Sequence, residues 1–285
     1  MTALLFSSLD EGEVPALSLS NRALSYGDGI FETVRVVDGA VPLLDYHRAR
    51  FVRGVETLAL GSALDMLQKF DQALEQALQK LQLLQHPTSL LKIFAIRREG
   101  GRGYAPASPS LADIYVQAFE LPHYHDGFYS EGIDLKLCAY RLGAQPALAG
   151  IKHLNRLDQV MAARELDDCP EGLVLAQDGA VVEGTKSNLI VFADQSILTP
   201  EIADCGVRGT LLSALLAGEL GAIQLREKKL VIDDLYKADG LAMVNSVFGV
   251  WPVKKFAEKD YAISDGCREL MVAVKQRFGF GYETD

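Results

Sequence analysis

Between residues 45 and 84 apolar side chains recur every three or four positions, whereas IFETVRVV before them and residues 89–97 and 111–121 after them are rich in branched and aromatic side chains. A period near 3.6 marks amphipathic helix, and branched runs bounded by turn residues mark strand. A chain that passes from strand to helix and back must pack its helices on a sheet, so the first part reads as an α+β domain. Two helices are predicted, over residues 45–60 and 62–84, the second with few helix breakers. Asp38-Gly39 is expected to turn IFETVRVV back onto a second short strand, AVPLL, as a hairpin. The glycine-rich REGGRGYAPASPS reads as a long loop between two strands.

PHYHDG, residues 122–127, has turn chemistry without periodicity and is the expected linker between a smaller N-terminal domain, 1–121, and a larger α+β domain, 128–285. GIDLKLCAYRL then reads as strand and residues 154–166 as helix. GLVLAQDGAVVEGTKSNLIVFADQSILTP reads as a strand meander turning at Asp178-Gly179. A helix over 205–220, ending at Gly221, short strands near 223–230, 240–245 and 250–255, and a closing helix over 264–278 complete the pattern.

The 285 residues carry 28 lysines and arginines against 38 aspartates and glutamates, a net charge of -10. That balance lacks the positive field that dominates nucleic-acid binding, so no nucleic-acid partner is expected. No apolar run approaches the roughly 18 residues of a membrane span, and none is expected. The first residues show no basic group before a short apolar stretch and acid soon after it, the wrong order for a secretory leader, so a cytoplasmic location is expected. The widely spaced Cys138, Cys169, Cys205 and Cys267 give neither a disulfide framework nor a zinc pattern, and the histidines add no ligand spacing; no metal is expected.

Four segments suggest chemistry: RALSYGDGIFETVR, GGRGYAP, AGIKHLNRLDQV, and VVEGTKSNL with the later CGVRGT. Lys152 follows Gly150 at the approach to a helix, among apolar residues that would partly desolvate its ammonium and make it able to form an imine. On spacing alone a solvated lysine at a helix start is the commoner occupant. Glu183, after an apolar strand, would need a cationic partner if buried, such as a protonated ring nitrogen, and is otherwise an exposed turn residue. The glycines of CGVRGT stand where a helix start offers free N–H groups to a phosphate. His47 and Arg50 share a helical turn, where a guanidinium could clamp phosphate oxygens or simply be solvated.

Together and in this order, from about Leu17 to Phe278, the segments resemble the fold-type IV pyridoxal-phosphate enzymes, the class IV aminotransferase family. That group holds D-amino acid and branched-chain aminotransferases and aminodeoxychorismate lyases. The resemblance implies a two-domain α+β fold of the D-amino acid aminotransferase kind, a homodimer, and an active site in the cleft between domains. It implies pyridoxal 5'-phosphate bonded by Lys152, with Arg50 on its phosphate and Glu183 on the pyridine nitrogen. Val207 and Arg208, through backbone N–H groups, and Asn245 and Ser246 would complete the phosphate cup. The Arg208 side chain gains no role.

YGDGIFETVRV, GGRGYAP and AGIKHLNRLDQV are most similar to the lyases, whereas TKSNL resembles the aminotransferases as much. The lyase resemblance implies conversion of 4-amino-4-deoxychorismate to 4-aminobenzoate and pyruvate, in folate biosynthesis, with Lys152 as general base. Thr33 would relay a proton to the departing enolpyruvate, or is a packed strand threonine. The substrate's two carboxylates call for arginine, Arg102 first, flanked by Arg97 and Tyr104 on the same segment. The alternatives are a D-amino acid or branched-chain aminotransferase on this scaffold, or a descendant that keeps the fold without catalysis.

Overall fold

The computed structural model describes residues 3–7, for their backbone, and residues 17–194, 196–221 and 223–280. The chain forms β1 (Ala3–Ser7), α1 (Arg22–Tyr26), β2 (Gly29–Val36), α2 (Leu44–Thr57), α3 (Ala63–Leu83), β3 (Ser89–Arg97) and β4 (Ala112–Phe119). After these come α4 (Gly127–Ser130), β5 (Ile133–Leu142), α5 (Leu157–Ala163), β6 (Glu171–Ala176), β7 (Val181–Gly184), β8 (Asn188–Ala193) and β9 (Ser196–Pro200). The rest is α6 (Thr210–Leu216), β10 (Leu225–Lys228), α7 (Ile232–Lys237), β11 (Gly240–Asn245), β12 (Gly249–Phe256) and α8 (Asp265–Phe278). Two compact units result: Met1–Pro122 with Ile151–Asn155, and His123–Gly150 with Arg156–Asp285.

In the first unit an antiparallel sheet runs β1-β4-β3-β2. Successive side chains of a strand face opposite ways. Ile30, Val34 and Val36 of β2, with Leu91, Ile93 and Ala95 of β3 and Ile114 and Val116 of β4, therefore share one buried face. α2 and α3 cover it with Phe51, Val55, Met66, Phe70, Leu74 and Leu81, the stripe that helical spacing demands. Ser62 caps α3 by accepting from the Asp65 N–H. Gly54 lets α2 close on β2, since a Cβ there would lie 2.9 Å from Ile30 Cδ1.

The expected AVPLL strand does not form. Asp38-Gly39 does turn the chain, but only Val37 and Ala40 bridge across it, and Leu44 already begins α2. Pro42 has no N–H to pair, and Val41 and Leu44 pack against the helix-covered core instead, with Leu43 buried between them in sequence.

The second unit holds a nine-stranded sheet in the order β10-β9-β8-β11-β12-β5-β6-β7, the two-residue strand Lys259–Asp260 pairing with β12. β9 with β10, β12 with β5, and β5 with β6 run parallel; the other pairs are antiparallel. Its core gathers Leu173, Leu189, Val191, Met243, Phe248 and Trp251, the last two stacked at 3.7 Å between ring centroids. The helices expected over 154–166 and 205–220 are shorter, Leu157–Ala163 and Thr210–Leu216, because Leu154 and residues 206–209 are drawn into hydrogen bonds with neighbouring segments. No described helix is long and apolar enough to cross a membrane.

Candidate active site

In the first unit three segments, β2 among them, come together. Glu32 is buried on it and receives two bonds from Arg50 of α2, Nε to Oε1 at 2.8 Å and a second from NH2 to Oε2. His47, one turn earlier on α2 and also buried, lies with Nδ1 2.7 Å from Glu32 Oε2. Burial by itself would push the Glu32 carboxyl up, but the Arg50 guanidinium, helped by His47, outweighs it and holds the group at about 2. Burial takes the His47 imidazole below its ordinary 6.5, with Glu32 opposing the fall.

The third segment is Ile151–Asn155, which pairs with the free edge of β2. Phe31 N–H donates to the Lys152 carbonyl at 2.9 Å, Leu154 N–H donates to the Gly29 carbonyl at 2.9 Å, and Ile30 bridges His153. This pairing sets the half-buried Lys152 with Nζ 4.7 Å from the centroid of the Phe31 ring. Thr33 is two residues on along β2, on the same side of the strand as Phe31. Arg50, Lys152 and Thr33 are thus all tied to one strand.

The three residues of the 97–104 segment do not stay together. Arg97 is buried and spans from Asp28 Oδ2 at 2.8 Å to the Ala59 carbonyl at 2.9 Å, and also donates to the Leu58 carbonyl and Ser110 Oγ. Its guanidinium is a strut inside the unit, where the sequence reading had it beside Arg102 on the loop. Arg102 and Tyr104 are exposed, Tyr104 83%, with the Tyr104 ring 5.3 Å from that of Tyr26.

In the second unit Glu183, on β7, is buried, and its carboxylate accepts from Gln159 Nε2 at 3.2 Å and from the Val207 N–H at 2.8 Å. The Arg208 N–H donates to the Gly150 carbonyl at 3.2 Å and Gly150 N–H to Gly206 O at 2.9 Å, so residues 206–208 pair with the residue just before the lysine segment. The two backbone donors expected to face a phosphate therefore bond Glu183 and Gly150 here. The Arg208 side chain reaches Glu227 at 2.5 Å. Asn245 closes the turn after β11, its Oδ1 accepting from the Val247 and Phe248 N–H groups at 2.8 and 2.9 Å, with Ser246 inside that turn.

Several residues that organise these groups had no role assigned from the sequence. Asn188 donates to the Val207 carbonyl at 2.9 Å and accepts from the Gly209 N–H at 3.0 Å, pinning the approach to α6. Glu171, 0% exposed, accepts from the Gly172 and Thr185 N–H groups at 2.9 Å and from the Thr185 and Ser187 hydroxyls, which fixes the turn after Glu183. Asn245 Nδ2 donates to the Lys186 carbonyl of that same turn at 3.1 Å. The hydroxyl of Thr210, the first residue of α6, and Gln159 Oε1 are buried without a hydrogen-bond partner among the described residues. Asn188, Gln159 and Thr210 lie within segments that the sequence singled out, but only the fold reveals their partners.

Residues 29–256 match the family described as Amino-transferase class IV. The chain is 31% identical over 252 residues to an aminodeoxychorismate lyase of Vibrio harveyi, covering 87% of this chain and 89% of that one. The crystal structure of 4-amino-4-deoxychorismate lyase from Pseudomonas aeruginosa is similar with a TM-score of 0.86 and 33% identity, over 95% of this chain and 98% of that one. D-alanine aminotransferase of Bacillus licheniformis is 25% identical over 276 residues, 89% of this chain and 87% of its own. A match of this extent, over a chain with this two-unit α+β fold, makes the protein a member of the class IV aminotransferase family.

Proposed function

We propose that the chain is a pyridoxal-phosphate-dependent lyase that converts 4-amino-4-deoxychorismate to 4-aminobenzoate and pyruvate. The observation that carries the reading is the pairing of the Lys152 segment with β2, which keeps an amine half-buried against Phe31 beside a buried Glu32–His47–Arg50 network. Likeness to two lyases of that name, over 87% and 95% of this chain, supports the choice of substrate.

The donor set fits the coenzyme. Lys152 offers the amine, Arg50 a guanidinium for phosphate oxygens, and the Glu183 carboxylate an acceptor for a protonated ring nitrogen. Thr210 brings a buried hydroxyl that has no hydrogen-bond partner among the described residues and that an oxygen-bearing ligand would satisfy. Bound there, pyridoxal phosphate supplies an aldehyde that bonds amines and a ring that accepts the electron pair left by a departing proton. Lys152 Nζ takes the proton from the amine-bearing ring carbon of the substrate. The Thr33 hydroxyl relays a proton to the enolpyruvate oxygen as its bond to the ring breaks, and is made good by the proton that Lys152 has taken up. Arg102 and Tyr104 hold the substrate's carboxylates. The products contain every atom of the substrate, so no second substrate is consumed.

An aminotransferase on the same scaffold is the second reading, favoured by the identity with D-alanine aminotransferase. Substrate generated in place from chorismate and glutamine by its synthase separates the two. The lyase releases pyruvate and 4-aminobenzoate with no keto acid added, whereas a need for 2-oxoglutarate, with glutamate accumulating, establishes the transaminase. Borohydride should fix the coenzyme to the peptide containing Lys152, and Lys152→Ala should lower turnover about a thousand-fold or more in a folded protein. Labelling of another peptide would overturn the assignment.

A further inference from the structure

Arg22, the first residue of α1, is 5% exposed, and no part of the proposed chemistry uses it. Its guanidinium donates to the carbonyls of Tyr104 at 2.8 Å and Gly103 at 3.1 Å, and more loosely to that of Gly100 at 3.5 Å. Its Nε donates to Asp28 Oδ2 at 2.9 Å, the same oxygen that Arg97 Nε reaches at 2.8 Å. Arg97 in turn holds Ser110. One carboxylate therefore anchors two arginines, one gripping the loop around residues 100–104 and the other its far foot. A ring contact adds to the grip, Tyr26 lying 5.0 Å from the Arg22 guanidinium and 5.3 Å from the Tyr104 ring.

We propose that Arg22 is a positioning residue for substrate binding, holding the 100–104 backbone so that Arg102 and Tyr104 meet the substrate's carboxylates in one conformation. This rests on the reading of that loop as the substrate grip. A glycine-rich exposed segment left to itself would have to be ordered each time substrate binds, and that entropy would be subtracted from the affinity. Bonds to three backbone carbonyls remove the cost beforehand, and they act on any side chain the loop carries. Being buried, with its donors directed at backbone and Asp28, Arg22 acts through the loop without touching substrate.

The test compares holoenzymes of the parent, Arg22→Ala, Arg22→Lys and Arg102→Ala. Arg22→Ala should raise KM for aminodeoxychorismate about ten-fold while kcat and the coenzyme's absorbance stay near the parent values. Trypsin should cut after Arg102 about ten-fold faster than in the parent, as expected of a loop released from its anchor. Arg22→Lys keeps the charge beside Asp28 but loses the fork, and should move KM and cleavage in the same direction by less; it replaces Arg22→Ala should that variant not fold. If Arg102→Ala raises KM and the Arg22 variants do not, the substrate reading stands and the positioning role is overturned. If Arg102→Ala leaves KM unchanged, the loop is not the grip and both fall. A parallel loss of kcat with an altered coenzyme spectrum in Arg22→Lys also overturns the proposal, since it would place Arg22 in the reacting centre.

Discussion

Glu32 and His47 give the first unit a specific response to acid. Both are depressed in the folded protein, Glu32 from 4.5 to about 2 and His47 below 6.5. For each, the unfolded chain binds its proton at a higher pH than the folded chain does, so protonation favours unfolding. Stability from His47 is fully present above pH 6.5 and is lost as pH falls through its lower folded value. That from Glu32 is present above 4.5 and lost on the way to about 2, on the order of 3 kcal/mol in all. We expect the thermal midpoint of the parent to fall below pH 6.5 and again below 4.5, and His47→Gln to lose the upper step of that fall. An unchanged upper step in the folded variant would show that His47 does not titrate on unfolding. The sequence offered His47 and Arg50 as neighbours on one helical turn. It gave no sign of Glu32, because a glutamate alternating with apolar residues on a strand reads as solvent-facing until the helix above it is seen to carry the cation.

Elements with uninterrupted periodicity were legible at the sequence level: Ser89–Arg97 and Gly240–Asn245 lie where the strand pattern put them, and Ser62 and Ser264, the first residues of two predicted helices, turn out to cap α3 and α8. Short helices such as Arg22–Tyr26 and Ile232–Lys237 were not, since five or six residues carry too little period to read. The segment before α6 was misread for a different reason: CGVRGT looks like a helix start, but its backbone bonds run to Gly150, Glu183 and Asn188. Asn188 is the element's organiser, and Gly209 is the residue that admits it, since a Cβ at 209 would lie 2.2 Å from Asn188 Oδ1. Gly209→Ala should therefore displace the amide and cost roughly 2 kcal/mol, and Asn188→Ala, which strands a carbonyl and an N–H, a similar amount. Urea unfolding measures the loss, and titration with pyridoxal phosphate should show weaker binding in both. Coenzyme affinity equal to the parent's would mean that residues 207–209 do not serve the phosphate.

At the scale of the whole chain, the residues assigned to the coenzyme are divided: Arg50 and Lys152 belong to the first unit, Glu183, Val207 and Arg208 to the second. Periodicity could not reveal this, because Ile151–Asn155 joins the first unit while its covalent neighbours on both sides belong to the second; strand edges, not sequence order, decide where those five residues go. The division makes the assignment testable without any assay of turnover. A ligand that binds only the folded state slows local opening by the free energy of its binding, about 4 kcal/mol at a thousand times its Kd, provided the opening breaks its site. If one coenzyme molecule engages both groups, then loading must slow amide exchange at Phe31 and Leu154, which bond the lysine segment to β2, and equally at Val207 and Gly209, which bond Glu183 and Asn188. Hydrogen exchange read by mass spectrometry on apo and loaded protein should show both sets protected, with the α3 peptides, remote from either in bonding, changed far less. Protection confined to the first set would leave Lys152 as the attachment point but remove Glu183 and residues 207–208 from the coenzyme's ligands.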